Sequence, residues 1–291
     1  MGAIPFLVCS FQGRFDLARV LEDHEHGDCI ILNQDRWSDA GEFQQAILET
    51  KALAADFDGT VNVWNQWEHM RDCMRADLRL QDEDDARDYF HSQRTDHGDA
   101  EFVERSVKRL VESGLTVGRL WKEAAKLLPR DGARELCESY GGGSRVAIVS
   151  YGLKPMILAW GQHHGIQIGE QYAAELLWKD IALPMRNWTL AGCVSGTIVT
   201  EGNKASAREK FSRRLNVPDS LVLVLEDTPR MLARMMAPEN VGVLIVPHVD
   251  LQEHRKTSRL RQLAHPGMIA GIDAILVSDS LTALVEMRRR A

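Results

Sequence analysis

The chain is short of cysteine, of long apolar runs and of surplus basic charge. Its five cysteines, Cys9, Cys29, Cys73, Cys137 and Cys193, are scattered over 291 residues and never form a CxxC pair. That argues against a disulfide framework and a cysteine zinc site, and it favours a reducing compartment. No apolar run reaches the length of a membrane span. The opening stretch MGAIPFLVCSF has no basic lead-in, and Phe6 breaks the myristoylation pattern. The expectation is therefore a soluble cytoplasmic protein with no membrane partner. The formal net charge of −7 argues against a nucleic acid polymer as partner. Internal repeats and low-complexity segments are lacking too.

What is present is a rhythm of short apolar strands and helical segments. Strands are expected at 4–11, 29–33, 52–58, 145–150, 220–226, 241–247 and 274–278. Several are apolar throughout, which marks strands buried on both faces of a parallel sheet. Segments 131–140, 154–164, 204–215 and 279–290 supply the crossover helices. The pattern is α/β and doubly wound. From 64 to 128 the rhythm breaks into amphipathic helices, and Pro129 and Gly132 mark the return. The expected organisation is an α/β core over 1–63 and 129–291, with a helical domain over 64–128. The acidic run 81–88 reads as a solvated helix start. His24 and His26 read as a solvated loop, and His163 and His164 as the end of a helix.

The stretch KALAADFDGT carries the first chemical signal. Asp56 and Asp58 stand two apart at the exit of a strand, so their side chains point the same way, with Phe57 turned inward. Gly59 allows a sharp turn and a close approach of backbone N–H groups to an anion. Two carboxylates this close need a shared cation or a retained proton. Both solutions suit phosphoryl transfer, with one acid as nucleophile and its neighbour as proton donor. Other strand ends and helix starts offer partners. They are Ser150, followed by Tyr151 and Gly152, then Lys204, and the pair Glu226-Asp227. Trp64 and Trp67, three apart, read as one helical face, which either packs in the core of the helical segment or lines a pocket and stacks on a flat group. Tyr151 and Lys154, beside Ser150, either face the pocket or pack at the helix start.

In this order the residues resemble the haloacid dehalogenase superfamily of phosphohydrolases. DFDGT (56–60) is similar to its first motif, VAIVS (146–150) to the second, the lysine of GNKA (202–205) to the third, and VLEDT (224–228) to the fourth. The resemblance spans roughly residues 52–250. The helical segment resembles a C1-type cap, and the flanks 127–157 and 190–205 are most similar to phosphoserine-phosphatase-like members. The resemblance implies a three-layer α/β/α Rossmann-like core with a parallel sheet and an all-helical cap. It implies Asp56 as nucleophile, Asp58 as general acid and base, and Ser150 and Lys204 on the phosphoryl group. Gly59, Thr60, Tyr151 and Gly152 are implied to help bind the substrate phosphate, with Thr60 organising its loop. Mg²⁺ is implied at Asp56, Asp58 and Asp227, with Glu226 nearby.

The function implied is hydrolysis of a small phosphorylated metabolite through an aspartyl-phosphate. Asp58 argues against carbon–halogen cleavage, which needs no proton for an alkoxide. Transfer of the phosphoryl group to an alcohol, or a non-catalytic binding role on the same fold, stand as alternatives. The sequence departs from the family at Glu226, often a glycine, and at Met231, where a later acid is usual. Residues 1–50 match nothing in the family and read as an added β-α-β-α unit, extending the sheet or forming a subunit contact of a homodimer.

Overall fold

The four residues of β3 (Ala52–Ala55) are all buried, as are those of β8 (Val222–Glu226) and β9 (Val241–Val246). A strand covered on both faces has no polar side to show, which is why these runs do not alternate. Successive side chains still part to opposite faces. Leu53 and Ala55 join one apolar cluster with Ile148, Leu225 and Trp160; Ala52 and Ala54 join the other with Val149, Val224 and Phe211. Two helical layers therefore sandwich one sheet. The computed structural model describes residues 4–11, 15, 17–22, 27–91, 96–194, 196–248, 263 and 272–289. His24 and His26 lie outside them.

Eight strands form the sheet in the order β1-β2-β10-β9-β8-β3-β4-β5. The outer members are β1 (Phe6–Cys9), β2 (Cys29–Asn33), β10 (Ala274–Val277), β4 (Val146–Leu153) and β5 (Glu170–Ala174). From β10 to β5 all pairings are parallel. The pair β1 and β2 is parallel within itself but meets β10 antiparallel, with Leu32 opposite Ala274 and Ile30 opposite Leu276. The expected parallel sheet is thus present from β10 to β5, with one antiparallel junction where β2 meets β10. Strand direction leaves no trace in an all-apolar run, because either pairing buries the same faces. The N-terminal unit β1, α1 (Leu17–Glu22), β2, α2 (Ala40–Glu49) does extend the sheet. Helix α2 is capped by Asp39, whose carboxylate accepts from the Glu42 N–H at 2.9 Å.

Between β3 and β4 stand α3 (Gln66–Arg71), α4 (Ala76–His91), α5 (Asp96–Glu112), α6 (Val117–Ala124) and α7 (Ala133–Ser139). The acidic run falls inside α4 rather than at a solvated start. Asp82 is fully buried there and accepts from Arg71 at 2.9 Å, Ser106 at 2.6 Å and Arg109 at 3.0 Å, tying α3, α4 and α5 together. After β4 come α8 (Lys154–His164), a small hairpin of β6 (Leu176–Lys179) and β7 (Thr189–Cys193), α9 (Lys204–Leu215) and α10 (Pro229–Met235). A helix over Thr282–Arg289 closes the chain. Strands β5, β6 and β7 are not foreseen from the sequence, since they are short and only partly buried. Among the described residues no helix is long and apolar enough to cross a membrane, and the five cysteines are free thiols.

Asp273 sits where the N-terminal unit joins the rest. Its carboxylate accepts from the Gly242 N–H at 2.8 Å and lies 3.4 Å from the Arg36 guanidinium. Burial pushes its pKa from 3.8 up to about 6, against the pull of those two partners. The folded protein then holds a proton that the unfolded chain has already lost, so stability falls as pH rises from about 4 to about 6. Asp273→Asn keeps an acceptor for Gly242 and removes the titration. Its stability relative to wild type should climb by ~3 kcal/mol across that window and level off above it. Urea midpoints taken from pH 4 to 7 measure this; a constant difference over that range would contradict it.

Candidate active site

Three adjacent parallel strands, β8, β3 and β4, run side by side; Asp56, Asp58, Glu226 and Asp227 lie at or just past the ends of β3 and β8, and Ser150 lies within β4. Asp56 follows β3 directly, and its N–H donates to the Leu225 carbonyl of β8 at 3.0 Å. The chain then turns back on itself, with the Asn62 N–H donating to the Phe57 carbonyl at 3.0 Å. Phe57 points into the core and meets Trp160 edge-on at 5.0 Å. Gly59 has φ +78, and a Cβ there would stand 2.0 Å from Asp227 Oδ2. Conformation and space both demand glycine. The turn is stapled from behind by buried Arg130, which donates to the Thr60 carbonyl at 2.9 Å and the Gly59 carbonyl at 2.6 Å.

Lys204, the first residue of α9, is fully buried. Its ammonium donates to Asp56 Oδ1 at 2.8 Å and to Glu226 Oε2 at 2.6 Å. Burial acts to lower the lysine pKa, but the attraction of Asp56 and Glu226 outweighs it and the net shift is upward, so Lys204 stays charged. Burial raises both acids; the charge of Asp227 pushes both further up and that of Asp56 also raises Glu226, against the pull of Lys204. Asp58 is pushed up to about 8, first by burial and then by Asp56 beside it; hydrogen bonds from Gln66 pull the other way. Asp58 still shows one face to the cavity.

The cavity, of about 120 Å³, is lined by Asp56, Asp58, Ser150, Tyr151, Lys204 and Asp227 on the sheet side. The helices between β3 and β4 supply Trp67, Tyr89, Asp99, Phe102 and Val103. Tyr89 and Phe102 stack at 4.7 Å, and Trp67 meets Phe102 edge-on at 6.0 Å. Asp99 accepts from the Tyr89 hydroxyl and, at 2.8 Å, from the Glu201 N–H, which joins α5 to the loop before Lys204. The Ser150 hydroxyl accepts from the Gly152 N–H at 3.1 Å. Tyr151 lies under the Lys204 ammonium, 5.3 Å from ring centre to Nζ, and its hydroxyl donates to Met231 Sδ at 3.2 Å. The position of the usual later acid is thus an apolar wall of the cavity.

Several expectations are corrected. Trp64 and Trp67 do not share a helical face: Trp64 precedes Asn65, the N-cap of α3, is 48% exposed, and lines an outer groove with His69 and Arg71. Gly59, Thr60 and Gly152 shape the loops without lining the cavity. The Thr60 hydroxyl is buried without a hydrogen-bond partner. Lys154 turns away to Glu175 at 2.6 Å. Gln66, Arg130 and Asp99 are not foreseen from the sequence. Arg130 follows Pro129 at the return to the core, the one local hint for it.

Asp56, Glu226 and Asp227 bring carboxylate oxygens within 4.8 Å of one another, all buried. Lys204 is the one cation among the described cavity-lining residues, so negative charge is in excess, and an all-oxygen donor set of this kind fits Mg²⁺. The Asp58 carboxylate is outside that group and is held by Gln66 instead. His69, Asp72 and Glu123 also come together, but Lys126 and Arg79 already neutralise the two acids.

Comparison of the sequence with protein-family models and with curated proteins finds no match to either. Comparison of the fold does. A cytosolic 5'-nucleotidase IIIB bound to cytidine superposes with a TM-score of 0.62 at 13% identity, over 95% of this chain and 98% of that one. A phosphoserine phosphatase in apo form gives 0.54 at 15% identity, over 81% and 98%. A HAD family hydrolase from Salmonella enterica gives 0.52 at 14% identity, over 67% and 63%. On this likeness of architecture the chain shares the fold of the phosphoserine phosphatase, 5'-nucleotidase and HAD family hydrolase structures.

Proposed function

We propose that this chain is a Mg²⁺-dependent phosphatase acting on a small-molecule phosphomonoester through an aspartyl-phosphate on Asp56. The observation that carries the reading is the buried Lys204 bridging Asp56 and Glu226 in a cavity that also holds Asp58 and Ser150. A lone structural ion pair has no use for two further polar groups aimed at the same space. The fold shared with a phosphatase and a nucleotidase supports the same chemistry.

A carboxylate oxygen of Asp56 attacks phosphorus, and the bond to the leaving oxygen breaks with its electron pair going to that oxygen. Asp58 gives its proton to the leaving oxygen, which departs as an alcohol. Asp58, now a carboxylate, takes a proton from water as that water's oxygen bonds phosphorus. The Asp56–phosphorus bond then breaks, releasing phosphate and restoring the Asp56 carboxylate. The upward pKa of Asp58 suits a group that must hold its proton near neutral pH. Lys204 and the Ser150 hydroxyl hold phosphoryl oxygens. Asp56, Asp227 and Glu226 would hold Mg²⁺, which when bound neutralises charge on the transferring group. Helices α3 to α6 act as a cap that shields the cavity and selects the leaving group. Five unpaired thiols suit a reducing, cytoplasmic setting.

A phosphate-release panel at neutral pH tests this, with phosphoserine, mononucleotides, sugar phosphates and an aryl phosphate. At least one ester should be cleaved; EDTA should lower the rate by about 100-fold or more, and added Mg²⁺ should restore it. Full turnover in EDTA would remove the metal from the scheme, and no cleavage of any ester would remove the phosphatase.

A further inference from the structure

Gln66 opens α3, and its side chain is fully buried. Its backbone N–H donates to Asp58 Oδ1 at 2.9 Å, and its side-chain Nε2 donates to Asp58 Oδ2 at 3.0 Å. One residue therefore grips both oxygens of one carboxylate. The remaining polar atom, Oε1, accepts from the Leu153 N–H at 2.8 Å. Leu153 ends β4, the strand that carries Ser150.

Gly152 confirms how tightly this amide is seated. A Cβ at 152 would stand 1.8 Å from Gln66 Nε2 and 2.3 Å from its Oε1. Gly152 is not among the glycines with positive φ, so the space taken by the amide, and not backbone conformation, excludes a side chain there. The other contact to Asp58, from Asn62 Nδ2, is long at 3.5 Å. Two N–H bonds to two different oxygens fix the rotation of the carboxylate as well as its position. A group that must hand a proton to a departing oxygen needs that fixed aim.

We propose that Gln66 is a positioning residue for proton transfer, aiming Asp58 at the leaving-group oxygen and locking that aim to β4 through Leu153 and Gly152. The inference rests on the phosphatase reading and adds to it a dependence on the leaving group. As the Asp56–phosphorus bond forms and the bond to the leaving oxygen breaks, an alkoxide must receive the Asp58 proton. A 4-nitrophenolate leaves without it. Loss of aim therefore harms alkyl esters and spares the aryl ester, whereas general loosening of the fold harms both.

The test compares kcat/KM of the Mg²⁺-loaded enzyme on an alkyl phosphate and on 4-nitrophenyl phosphate. That ratio covers steps up to departure of the leaving group and excludes later hydrolysis. Gln66→Met should lose about 100-fold on the alkyl ester and less than about 5-fold on the aryl ester. Gln66→Glu keeps an acceptor for Leu153 and serves if the Met variant does not fold; the same split is expected. Gly152→Ala, which displaces the amide, should show it too. Equal losses on both esters, or no loss, in a variant with wild-type melting behaviour overturn the inference while leaving the phosphatase standing. A wild-type protein that cleaves neither ester overturns both.

Discussion

Asp56→Asn should abolish phosphate release, by about 10⁴-fold or more in kcat, without unfolding the protein. An amide cannot attack phosphorus, and removal of a covalent nucleophile commonly costs this much or more. The substitution is close to isosteric, and Lys204 keeps its 2.6 Å bond to Glu226, so the buried ammonium is not left alone. Burial raises the pKa of Asp56, which means that its charged form burdens the folded state at neutral pH. The variant should therefore be at least as stable as wild type in the absence of divalent metal, and it should gain less stability from added Mg²⁺. Phosphate release and thermal melting with and without Mg²⁺ check both halves. Activity within tenfold of wild type would remove Asp56 from the reaction.

Lys204→Met should have the opposite balance of effects, losing both activity and stability. Asp56, Glu226 and Asp227 crowd one buried site, and Lys204 is the cation bonded to two of them. Breaking a buried ion pair by removing one partner typically costs about 3–5 kcal/mol, because an uncompensated charge stays buried. Loss of the positive charge from the transferring phosphoryl group should lower kcat by about 10²-fold or more. The stability deficit should shrink as pH falls. Asp56 and Glu226, already raised, take up protons in the folded state before the unfolded chain does, so acid relieves the repulsion. Mg²⁺ should relieve part of it at neutral pH. Denaturant midpoints over pH and Mg²⁺ concentration measure this; a variant as stable as wild type at pH 7 without metal would refute the charge balance drawn for the site.

Glu226 and Met231 bear on how such a site tolerates a change of pattern. The acid at 226 reaches Lys204 directly, and Met231 fills the cavity wall against the Tyr151 hydroxyl. The lysine is thus held from the strand end rather than from the following helix.

Much of the fold was legible in the sequence because the signals are local. Runs such as VLVLE and VGVLIV announce strands covered on both faces, and the helical stretch after Trp64 is amphipathic over many turns. The reversal of β1 and β2 was not legible, because an apolar strand buries equally well in either direction. Nor was the hairpin β6–β7, too short and too exposed to leave a period. The inward turn of Asp82 is hidden for a related reason: in a run of acids, nothing local marks the one that reaches Arg71 and Arg109.

By itself the sequence determined the chemistry available: paired acids at one strand end, a hydroxyl at another, a lysine opening a helix, and a second acid pair. These follow from residue type and from the alternation of side chains along a strand, both fixed over a few residues. Tertiary structure alone decided that Lys204 would share Asp56 with Glu226, that Trp67 and not Trp64 would wall the cavity, and that Gln66 and Arg130 would hold the turn around Asp58 and Gly59. Those outcomes depend on how loops pass one another in space, and a hydrogen bond is decided within an ångström, a precision that pattern along the chain does not carry.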